Sequence, residues 1–289
     1  MMRNWNQCPV CHSEQSKTDF VHRPSKYIPG IVVSCGSCGM RYKTPDNADI
    51  AACYNDSYAE LFSTDDAAAT KEEFDAVFSS LASLGVTGGK MIEVGCGAGD
   101  FLVMARQRGF TVSGVELTPS LAAAAREKLG DVVQTGDAMK LELPAHESAV
   151  VVMLDVIEHV QDPAALLARL RGALAPGGKL VVFTPNHASL ICHIAEALSV
   201  LSGGRFSGPL REIYDCMHVS FYDCQSLQKT FEQTGFDVTQ KRLIAYEPER
   251  RGSAKGATAQ VLRGIEAAAA LLPEGRFRVL MTGTPRASS

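Results

Sequence analysis

The sequence predicts an α/β protein in which a doubly wound, mostly parallel sheet follows a small N-terminal metal-binding ribbon. From residue 90 onward, short apolar runs of strand length alternate with helical patterns, as in doubly wound folds. A glycine-rich turn follows the first of these runs, and two Cys-x-x-Cys pairs stand near the N-terminus. These observations divide the 289 residues into a zinc ribbon at 1–45, a helical linker at 46–85 and a main domain at 86–289.

Composition and charge exclude several other classes of protein. With 46% hydrophobic and 21% charged residues, the chain is neither wholly disordered nor fibrous. Its 28 basic and 32 acidic residues give a net charge of −4, which argues against nonspecific binding to nucleic acid. No apolar run reaches the roughly 18 residues of a membrane span, and the N-terminus lacks a signal-peptide pattern. Because nine cysteines are an odd number and fit disulfides poorly, we expect a reducing, cytoplasmic compartment.

Four cysteines form the first predicted site, Cys8 with Cys11 and Cys35 with Cys38. Two residues between the cysteines of a pair let both sulfurs of a tight turn face one ion, and two such turns complete a tetrahedral shell. Zinc is the favoured ion, iron is the rival metal, and free buried thiols are the alternative without metal. Four thiolates leave no open position, so the site is predicted to be structural. The remaining cysteines have no paired spacing: Cys53, Cys96, Cys192, Cys216 and Cys224.

The linker contains an amphipathic helical pattern from Lys71 to Leu84. Its apolar residues share one face: Phe74, Val77, Phe78 and Leu81. Packing of this helix against the sheet is one interpretation. The alternative is a lid over a ligand, with Tyr54 and Tyr58 near its mouth.

The main domain is predicted to contain seven strands and the helices between them. The strands are Met91–Val94, Val112–Val115, Val132–Gln134, Val150–Leu154, Leu180–Phe183, Phe236–Ile244 and Arg278–Met281. The helices are Phe101–Arg108, Ser120–Leu129, Ala164–Leu174, His187–Leu201, Ser226–Thr234 and Ala254–Leu272. The strands are mostly continuous apolar runs, which suits burial on both faces, and a ligand is expected beyond their carboxyl ends. Residues 187–217 are long for a connection and are predicted to form an insertion over the site.

The segment EVGCGAGD at 93–100 follows the first strand and opens the first helix. Glycine lets the backbone turn sharply and approach a ligand closely. Glu116 ends the second strand, where a carboxylate can accept hydrogen bonds from two ribose hydroxyls. A nucleoside ligand is therefore predicted. The dinucleotide pattern G-x-G-x-x-G is not met, because Asp100 stands at its last position, and the acids of the loop favour a cationic amine over a diphosphate.

These segments resemble the class I S-adenosylmethionine-dependent methyltransferases. EVGCGAG at 93–99 resembles the first motif of that family, and GDA at 136–138 resembles its adenine-binding acid. DVIEHV at 155–160 and LAPGGKL at 174–180 resemble the motifs around the fourth and fifth strands. The resemblance covers about residues 85–245 and implies a Rossmann-like, seven-stranded sheet with an antiparallel last strand. The ribbon, the Tyr-x-x-x-Tyr spacing and HVSFY at 218–222 are similar to a bacterial subgroup that modifies sugars, lipid-linked intermediates or secondary metabolites.

The resemblance implies S-adenosylmethionine as cofactor and a set of residues that contact it. The set comprises Glu93, Gly95, Cys96, Gly97, Asp100, Glu116, Leu117, Asp137, Ala138 and Asp155. By position in the motifs, Gly95 and Gly97 are expected under the methionine part, with Glu93 and Asp100 near its amino group.

The remaining positions are expected along the rest of the cofactor. Glu116 would hold the ribose, with Leu117 against the adenine. Asp137 would meet the adenine amino group, and Ala138 would donate from its backbone. Asp155 would lie beside the sulfonium. Each of the acids can alternatively be structural, as a loop or turn residue.

Methyl transfer to a hydroxyl requires alignment of the acceptor with the methyl group and a base for the proton. His218, after the insertion, and His159, after the fourth strand, are the candidate catalytic residues, because a histidine titrates near neutrality. His187, at the end of the fifth strand, is a further candidate, and each of the three can instead be structural. Arg205 and Arg211 in the insertion are candidates for binding an anionic acceptor, with solvated surface arginines as the alternative.

The leading hypothesis is methylation of a small-molecule acceptor, on oxygen. A second hypothesis is an RNA or protein methyltransferase that uses the ribbon as its reader. The ribbon carries six basic and two acidic residues, a net charge of +4, but they are scattered, so nucleic acid is the less favoured partner. A third hypothesis is a non-catalytic scaffold that binds S-adenosylmethionine.

Overall fold

A computed structural model describes residues 7–18, 28, 30–45, 67–214, 217–245 and 256–287. Several predictions fall outside these residues, namely those for Tyr54, Tyr58, Cys53 and Cys216. Within the described residues, no helix is both long and apolar enough to cross a membrane.

The observed elements follow the predicted alternation of strand and helix. The strands are β1 (Ser16–Thr18), β2 (Gly30–Cys35), β3 (Arg41–Pro45), β4 (Gly89–Val94), β5 (Phe110–Glu116), β6 (Val133–Thr135), β7 (Ser148–Leu154), β8 (Leu174–Pro185), β9 (Ser220–Phe221), β10 (Phe236–Ile244) and β11 (Arg278–Pro285). The helices are α1 (Ala67–Ser83), α2 (Asp100–Gln107), α3 (Pro119–Leu129), α4 (Pro163–Ala173), α5 (Leu190–Leu201), α6 (Gly208–Tyr214), α7 (Cys224–Gln233) and α8 (Gly256–Ala269), with a 3-10 turn at Ile157–His159.

The larger sheet has seven strands in the order β10-β11-β8-β7-β4-β5-β6. β11 is antiparallel to both of its neighbours, and the strands from β8 to β6 are parallel. This confirms the predicted seven-stranded sheet with an antiparallel strand. Val150, Val152 and Met153 are fully buried, as expected for a central strand covered on both faces. The strand order reverses between β4 and β7, so the carboxyl ends of these strands mark the expected ligand-binding edge.

The smaller sheet joins the ribbon to the main domain. Its order is β1-β2-β3-β9, and the short β9 comes from the segment after the insertion. Arg41 pairs with Phe221, and Tyr42 pairs with Ser220, in an antiparallel register. Tyr42 is fully buried in the same apolar core as residues of the main domain. The ribbon therefore packs directly on the main domain.

Helix α1 covers the predicted stretch and packs as an amphipathic helix. Val77, Phe78 and Leu81 are buried, and the Phe78 ring stacks on Phe101 with 4.8 Å between the ring centroids. This supports the packing interpretation for that face of the helix.

The insertion differs from the prediction in two places. Helix α5 begins at Leu190 and not at residue 187, because Asn186 forms a turn in which its side-chain oxygen accepts from the Ala188 amide at 3.1 Å. Residues 208–214, where no helix was predicted, form α6. Pro209 lies in the first turn of that helix, where its missing amide hydrogen costs no hydrogen bond.

Candidate active site

The glycine loop after β4 leaves open space at the ligand-binding edge of the sheet. Gly95 and Gly97 have φ angles of 72° and 52°, a region that favours glycine. The Gly97 amide donates to Glu116 Oε2 at 2.8 Å, and a Cβ atom at Gly97 would meet no atom within 4 Å. Cys96 turns its side chain inward, where it is buried, so only its backbone faces the loop. The loop therefore forms a cradle with room for a ligand beside Gly97.

Glu116 ties this loop to the next turn. Its Oε1 accepts from the Thr118 amide at 2.8 Å while Oε2 accepts from Gly97, and the residue is buried. Each carboxylate oxygen has a second lone pair, so contacts with ribose hydroxyls remain compatible with these bonds. Leu117, the predicted adenine neighbour, is half-buried.

Glu93 is an acid of the loop whose ionised form is disfavoured by its surroundings. It is buried at the end of β4, and within the described residues its Oε2 has no hydrogen-bond partner. Burial, followed by the nearby Glu116 and Asp100 carboxylates, raises the pKa of Glu93 well above its usual range. A cationic group of a ligand would relieve this penalty, which fits the amino group of S-adenosylmethionine.

Three other predicted cofactor residues make hydrogen bonds or ion pairs with the protein itself. The Asp100 carboxylate pairs with Lys128 at 2.6 Å, and its side chain is 66% exposed. Asp137 accepts from the amide of Met139 at 2.9 Å and so closes its own turn. The Ala138 carbonyl accepts from Arg169 at 3.0 Å. Asp100 therefore lies further out than the Glu93–Glu116 pair.

Asp155 has a partner that the sequence reasoning missed. It directly follows β7 and has a φ of 53°, and its carboxylate accepts from the guanidinium of Arg278. Arg278 lies 4.2 Å above the Phe183 ring, and its Nε is 3.5 Å from a carboxylate oxygen of Glu73 on α1. The sequence did contain one indication of this pair, since Arg278 begins a strand that was predicted to be buried. A buried arginine is normally paired with an acid.

The glycine loop contacts the segment that follows β7. A Cβ atom at Gly95 would lie only 2.5 Å from Cγ2 of Val156. This contact brings the predicted cofactor cradle against the segment that carries Asp155, Glu158 and His159.

The structure brings the two candidate bases together. The His159 and His218 rings are 4.7 Å apart, centroid to centroid, in an edge-to-face arrangement, and His187 is 6.2 Å from His218. His218 Nε2 lies 3.9 Å from an oxygen of Glu158, whose other oxygen accepts from the Thr184 hydroxyl at 2.7 Å. Glu158 belongs to the quoted DVIEHV segment, but the sequence reasoning gave it no role.

Burial controls the protonation of this cluster. It lowers the pKa of His218 well below its usual range, with His159 and His187 as further causes. It lowers the pKa of His187 to about 3. Burial and the nearby Asp155 raise the pKa of Glu158 to about 8. At neutral pH, His187 and His218 are therefore neutral imidazoles, the form that accepts a proton.

Backbone hydrogen bonds hold the cluster against the ribbon. The Val219 amide donates to the Glu158 carbonyl at 2.9 Å, and the Lys43 amide donates to the Val219 carbonyl at 2.9 Å. The His187 amide donates to the Tyr222 carbonyl at 2.7 Å. The segment 217–222 is thus held between the 3-10 turn after β7, the end of β8 and strand β3.

Among the residues that the structure describes, two groups of side chains have a spacing that suits a metal ion. Sulfur atoms of Cys8, Cys11, Cys35 and Cys38 all lie within 4.8 Å of one another, with 3.5 Å between Cys8 and Cys38 and 3.4 Å between Cys11 and Cys35. One ligand atom each from Glu158, His159 and His218 meets the same limit.

Comparison with known proteins agrees with this geometry. Residues 66–241 match the methyltransferase domain family, which is more than half of the chain. The chain therefore belongs to that family, and its class is that of the S-adenosylmethionine-dependent methyltransferases. Two similar proteins are the ubiquinone biosynthesis O-methyltransferases of Pseudomonas fluorescens, 33% identical over 110 residues, and of Psychrobacter cryohalolentis, 34% identical over 113 residues.

These matches cover 36% of this chain and 47% and 44% of the two relatives, so the chain spans about half the length of the curated relatives it matches. Among solved structures, the magnesium protoporphyrin IX methyltransferase of Synechocystis superposes with a TM-score of 0.52 at 14% identity, over 80% of this chain and 94% of the other. A methyltransferase from Mesorhizobium loti superposes with a TM-score of 0.50 at 20% identity, over 73% and 99% of the two chains. At such identities the structural likeness shows the fold alone.

Proposed function

We propose that this protein transfers a methyl group from S-adenosylmethionine to a hydroxyl oxygen of a small-molecule acceptor. The observation that carries the proposal is the contact between Gly95 and Val156. It supports a position of the glycine loop next to the segment that carries Glu158 and His159, since transfer to a hydroxyl requires a base near the cofactor. The names of the O-methyltransferase relatives support oxygen as the methylated atom.

The residues of the cradle fit S-adenosylmethionine. The cofactor supplies, when bound, a methyl group made electrophilic by its positive sulfur. We assign Gly95, Gly97 and the Cys96 backbone to its methionine part and Glu93 to its amino group. The unpartnered oxygen of Glu93 supports this last assignment.

The assignments along the rest of the cofactor follow the motif positions. Glu116 would bind the ribose, Leu117 and Ala138 the adenine, and Asp137 the adenine amino group. We place Asp155 on the sulfonium side, with its charge shared with Arg278. Asp100 is proposed to act at a distance, because it is exposed and paired with Lys128.

We assign His218 as the base that takes the acceptor proton. Its ring is neutral at pH 7, its Nδ1 has no hydrogen-bond partner within the described residues, and its side chain is 17% exposed. His159, in contrast, lies within hydrogen-bond distance of the Met217 carbonyl, 3.3 Å from its Nδ1. His159 is therefore proposed to orient His218.

We propose that Cys8, Cys11, Cys35 and Cys38 hold one structural zinc ion. A tetrahedral zinc site with bonds of about 2.3 Å has sulfurs about 3.8 Å apart, close to the observed separations. The amides of Val10 and Ser37 donate to the sulfurs of Cys8 and Cys35, both at 3.4 Å, which favours thiolates. A hydrogen bond with Cys8, followed by burial, raises the pKa of Cys38, so the cluster needs a cation to ionise.

Two basic residues of the ribbon have side chains that the structure describes, and both contact the main domain. Lys43 is fully buried, and Arg41 contacts Glu196 and Tyr214. A nucleic-acid reader needs basic side chains spread over an exposed face, where they contact successive phosphates. The positions of Arg41 and Lys43 therefore support a small acceptor over RNA.

A His218→Ala variant tests the proposal. Turnover with tritiated S-adenosylmethionine, measured on a panel of hydroxylated acceptors, should fall by about 10²- to 10⁴-fold, the usual contribution of a general base. Cofactor affinity measured by calorimetry should not change. The exposed His146→Asn variant is the control and should retain full turnover.

Full activity of His218→Ala would eliminate this residue as the base, and a larger loss in His159→Gln would transfer the role to His159. Cofactor binding without transfer to any acceptor would favour the scaffold hypothesis.

A further inference from the structure

A small cavity lies where the ribbon meets the insertion helix α5. Its volume is about 160 Å³, and its lining includes Arg41 from the ribbon, His187 and His193 from the insertion, and Phe221 from β9. A cavity of about 150 Å³ holds a molecule of the size of benzene. The space therefore fits one small chemical group of a ligand and not a nucleoside.

The lining combines cations with neutral hydrogen-bonding groups. The Arg41 side chain is 27% exposed, and Lys43, two residues further along the same strand, is buried 5.8 Å from the centre of the Phe221 ring. Alternate residues of a strand point to the same side, so Lys43 adds positive charge on the Arg41 side of β3. His187 is 4% exposed, and within the described residues neither of its ring nitrogens has a hydrogen-bond partner.

Two acids also belong to this region, and both accept hydrogen bonds from the protein. Glu196 on α5 accepts from Arg41 and from the Tyr214 hydroxyl, the latter at 2.9 Å. Asp223 lines the cavity, accepts from the Ser226 amide at 2.7 Å and caps the N-terminus of α7. An anion in the cavity would therefore share the guanidinium of Arg41 with Glu196.

The cavity lies close to the candidate base. His187 lines the cavity, and its ring centroid is 6.2 Å from that of His218. A group bound in the cavity is therefore one side chain away from His218.

We propose that this cavity binds an anionic group of the methyl acceptor, a carboxylate or a phosphate, with Arg41 of the ribbon as the main recognition residue and His187 as a second donor. The acceptor is then a small hydroxy compound that carries an acid group, and the ribbon is part of its binding site. This inference rests on the proposed methyl transfer. It differs from the sequence-based expectation, which gave the same task to Arg205 and Arg211.

Calorimetry on the full chain tests the inference, with benzoate and inorganic phosphate as separate probes of the two anion types. The protein is first saturated with S-adenosylhomocysteine, and that titration tests the cofactor site on its own. Arg41→Gln should weaken binding of the preferred probe by about 10- to 100-fold, the loss of one charge-assisted hydrogen bond. Arg205→Gln is the matched control, because Arg205 is an exposed arginine of the insertion and does not line the cavity. This variant should bind the probe with unchanged affinity.

A second variant protects the test against a simple folding defect. Glu196→Gln removes the acid that competes for Arg41, so it should strengthen probe binding severalfold. A purely structural role of the Arg41–Glu196 pair predicts weaker binding in both variants. The inference is overturned if neither probe binds, if Arg41→Gln binds as well as Arg205→Gln, or if Glu196→Gln weakens binding. Loss of S-adenosylhomocysteine binding alone would instead refute the proposed function.

Discussion

The cofactor half and the acceptor half of the candidate site are built in different ways. The cofactor half comprises the loop 93–100 with Glu116, Asp137 and Asp155, and its shape comes from turns at the ends of consecutive strands. The acceptor half comprises Glu158, His159, His187 and His218 with the ribbon strand β3, and it joins segments that lie far apart in the chain. The first half is an open cradle, and the second is a buried cluster of titratable side chains.

This difference assigns separate tasks to the two halves. A cradle of backbone atoms and a few acids suits a ligand that is common to a whole class of enzymes. A cluster that depends on the ribbon and the insertion suits an acceptor specific to this chain. Substitutions in the cofactor half should therefore weaken S-adenosylmethionine binding without altering the ribbon. Structural changes in the ribbon should in turn extend to the acceptor half.

The largest effect is expected in the cofactor half, for Gly97→Arg. The new side chain would fill the open space above the loop, so S-adenosylmethionine binding measured by calorimetry should weaken by more than about 100-fold, or about 3 kcal/mol. Zinc content should not change, because the four cysteines belong to the ribbon and the substitution lies in the loop after β4.

Gly109→Arg is the matched control. Gly109 also has a positive φ, 89°, and open space around its Cβ position, but it precedes β5 at the opposite edge of the sheet. Both variants place an arginine at a residue with positive φ, so a loss of cofactor binding confined to Gly97→Arg identifies the cradle. Retained cofactor binding in Gly97→Arg would refute the loop assignment.

The same difference explains what could be predicted from the sequence. The loop 93–100 and Glu116 could be proposed as a cofactor site from the sequence, because strand, turn and helix follow one another locally and their spacing is visible in the chain. His159 and His218 were found only as separate candidates. Their approach to 4.7 Å depends on the 217–222 segment, which β3 and the 3-10 turn hold in place.

The partners of these residues could not be predicted for the same physical reason. Arg278 meets Asp155 across 123 positions of the chain, and Arg41 meets Glu196 across 155. Such pairs follow from the position of β11 within the large sheet and of β9 beside β3. Neither pairing leaves a local periodicity in the sequence.

A smaller but wider effect is expected for Cys35→Ser. The variant should lose about one zinc per chain, measured by atomic emission, and the ribbon should lose the folding energy that the metal supplies. Because β3 pairs with β9, amide exchange at Val219 and Ser220 should increase. Cofactor affinity should stay close to that of the unmodified protein.

Cys224→Ser serves as the control for this experiment. Cys224 is a fully buried thiol outside the four-cysteine cluster, so the variant should keep its zinc and its protection from exchange at Val219. Unchanged metal content in Cys35→Ser would remove the zinc proposal. Loss of zinc without faster exchange at Val219 would show that the ribbon and the acceptor half are independent.

The smallest effect concerns the pH dependence of stability in the acceptor half. The pKa of His187 is about 3 in the folded protein, because the ring is buried and Arg41 is near, whereas an unfolded histidine titrates near 6.5. Between these values the unfolded chain binds one more proton than the folded chain. The free energy of unfolding should therefore fall as pH decreases below 6.5, by about 1.4 kcal/mol per pH unit from this residue alone.

His187→Phe isolates that contribution, since it keeps a ring among Tyr214 and Phe221 and removes the titrating group. Between pH 7 and pH 5, urea unfolding of the variant should lose about 2 kcal/mol less stability than the unmodified protein. An unchanged slope in His187→Phe would mean that His187 is accessible to protons in the folded state. The acceptor half would then be as open as the cofactor half, and the contrast between the two would be lost.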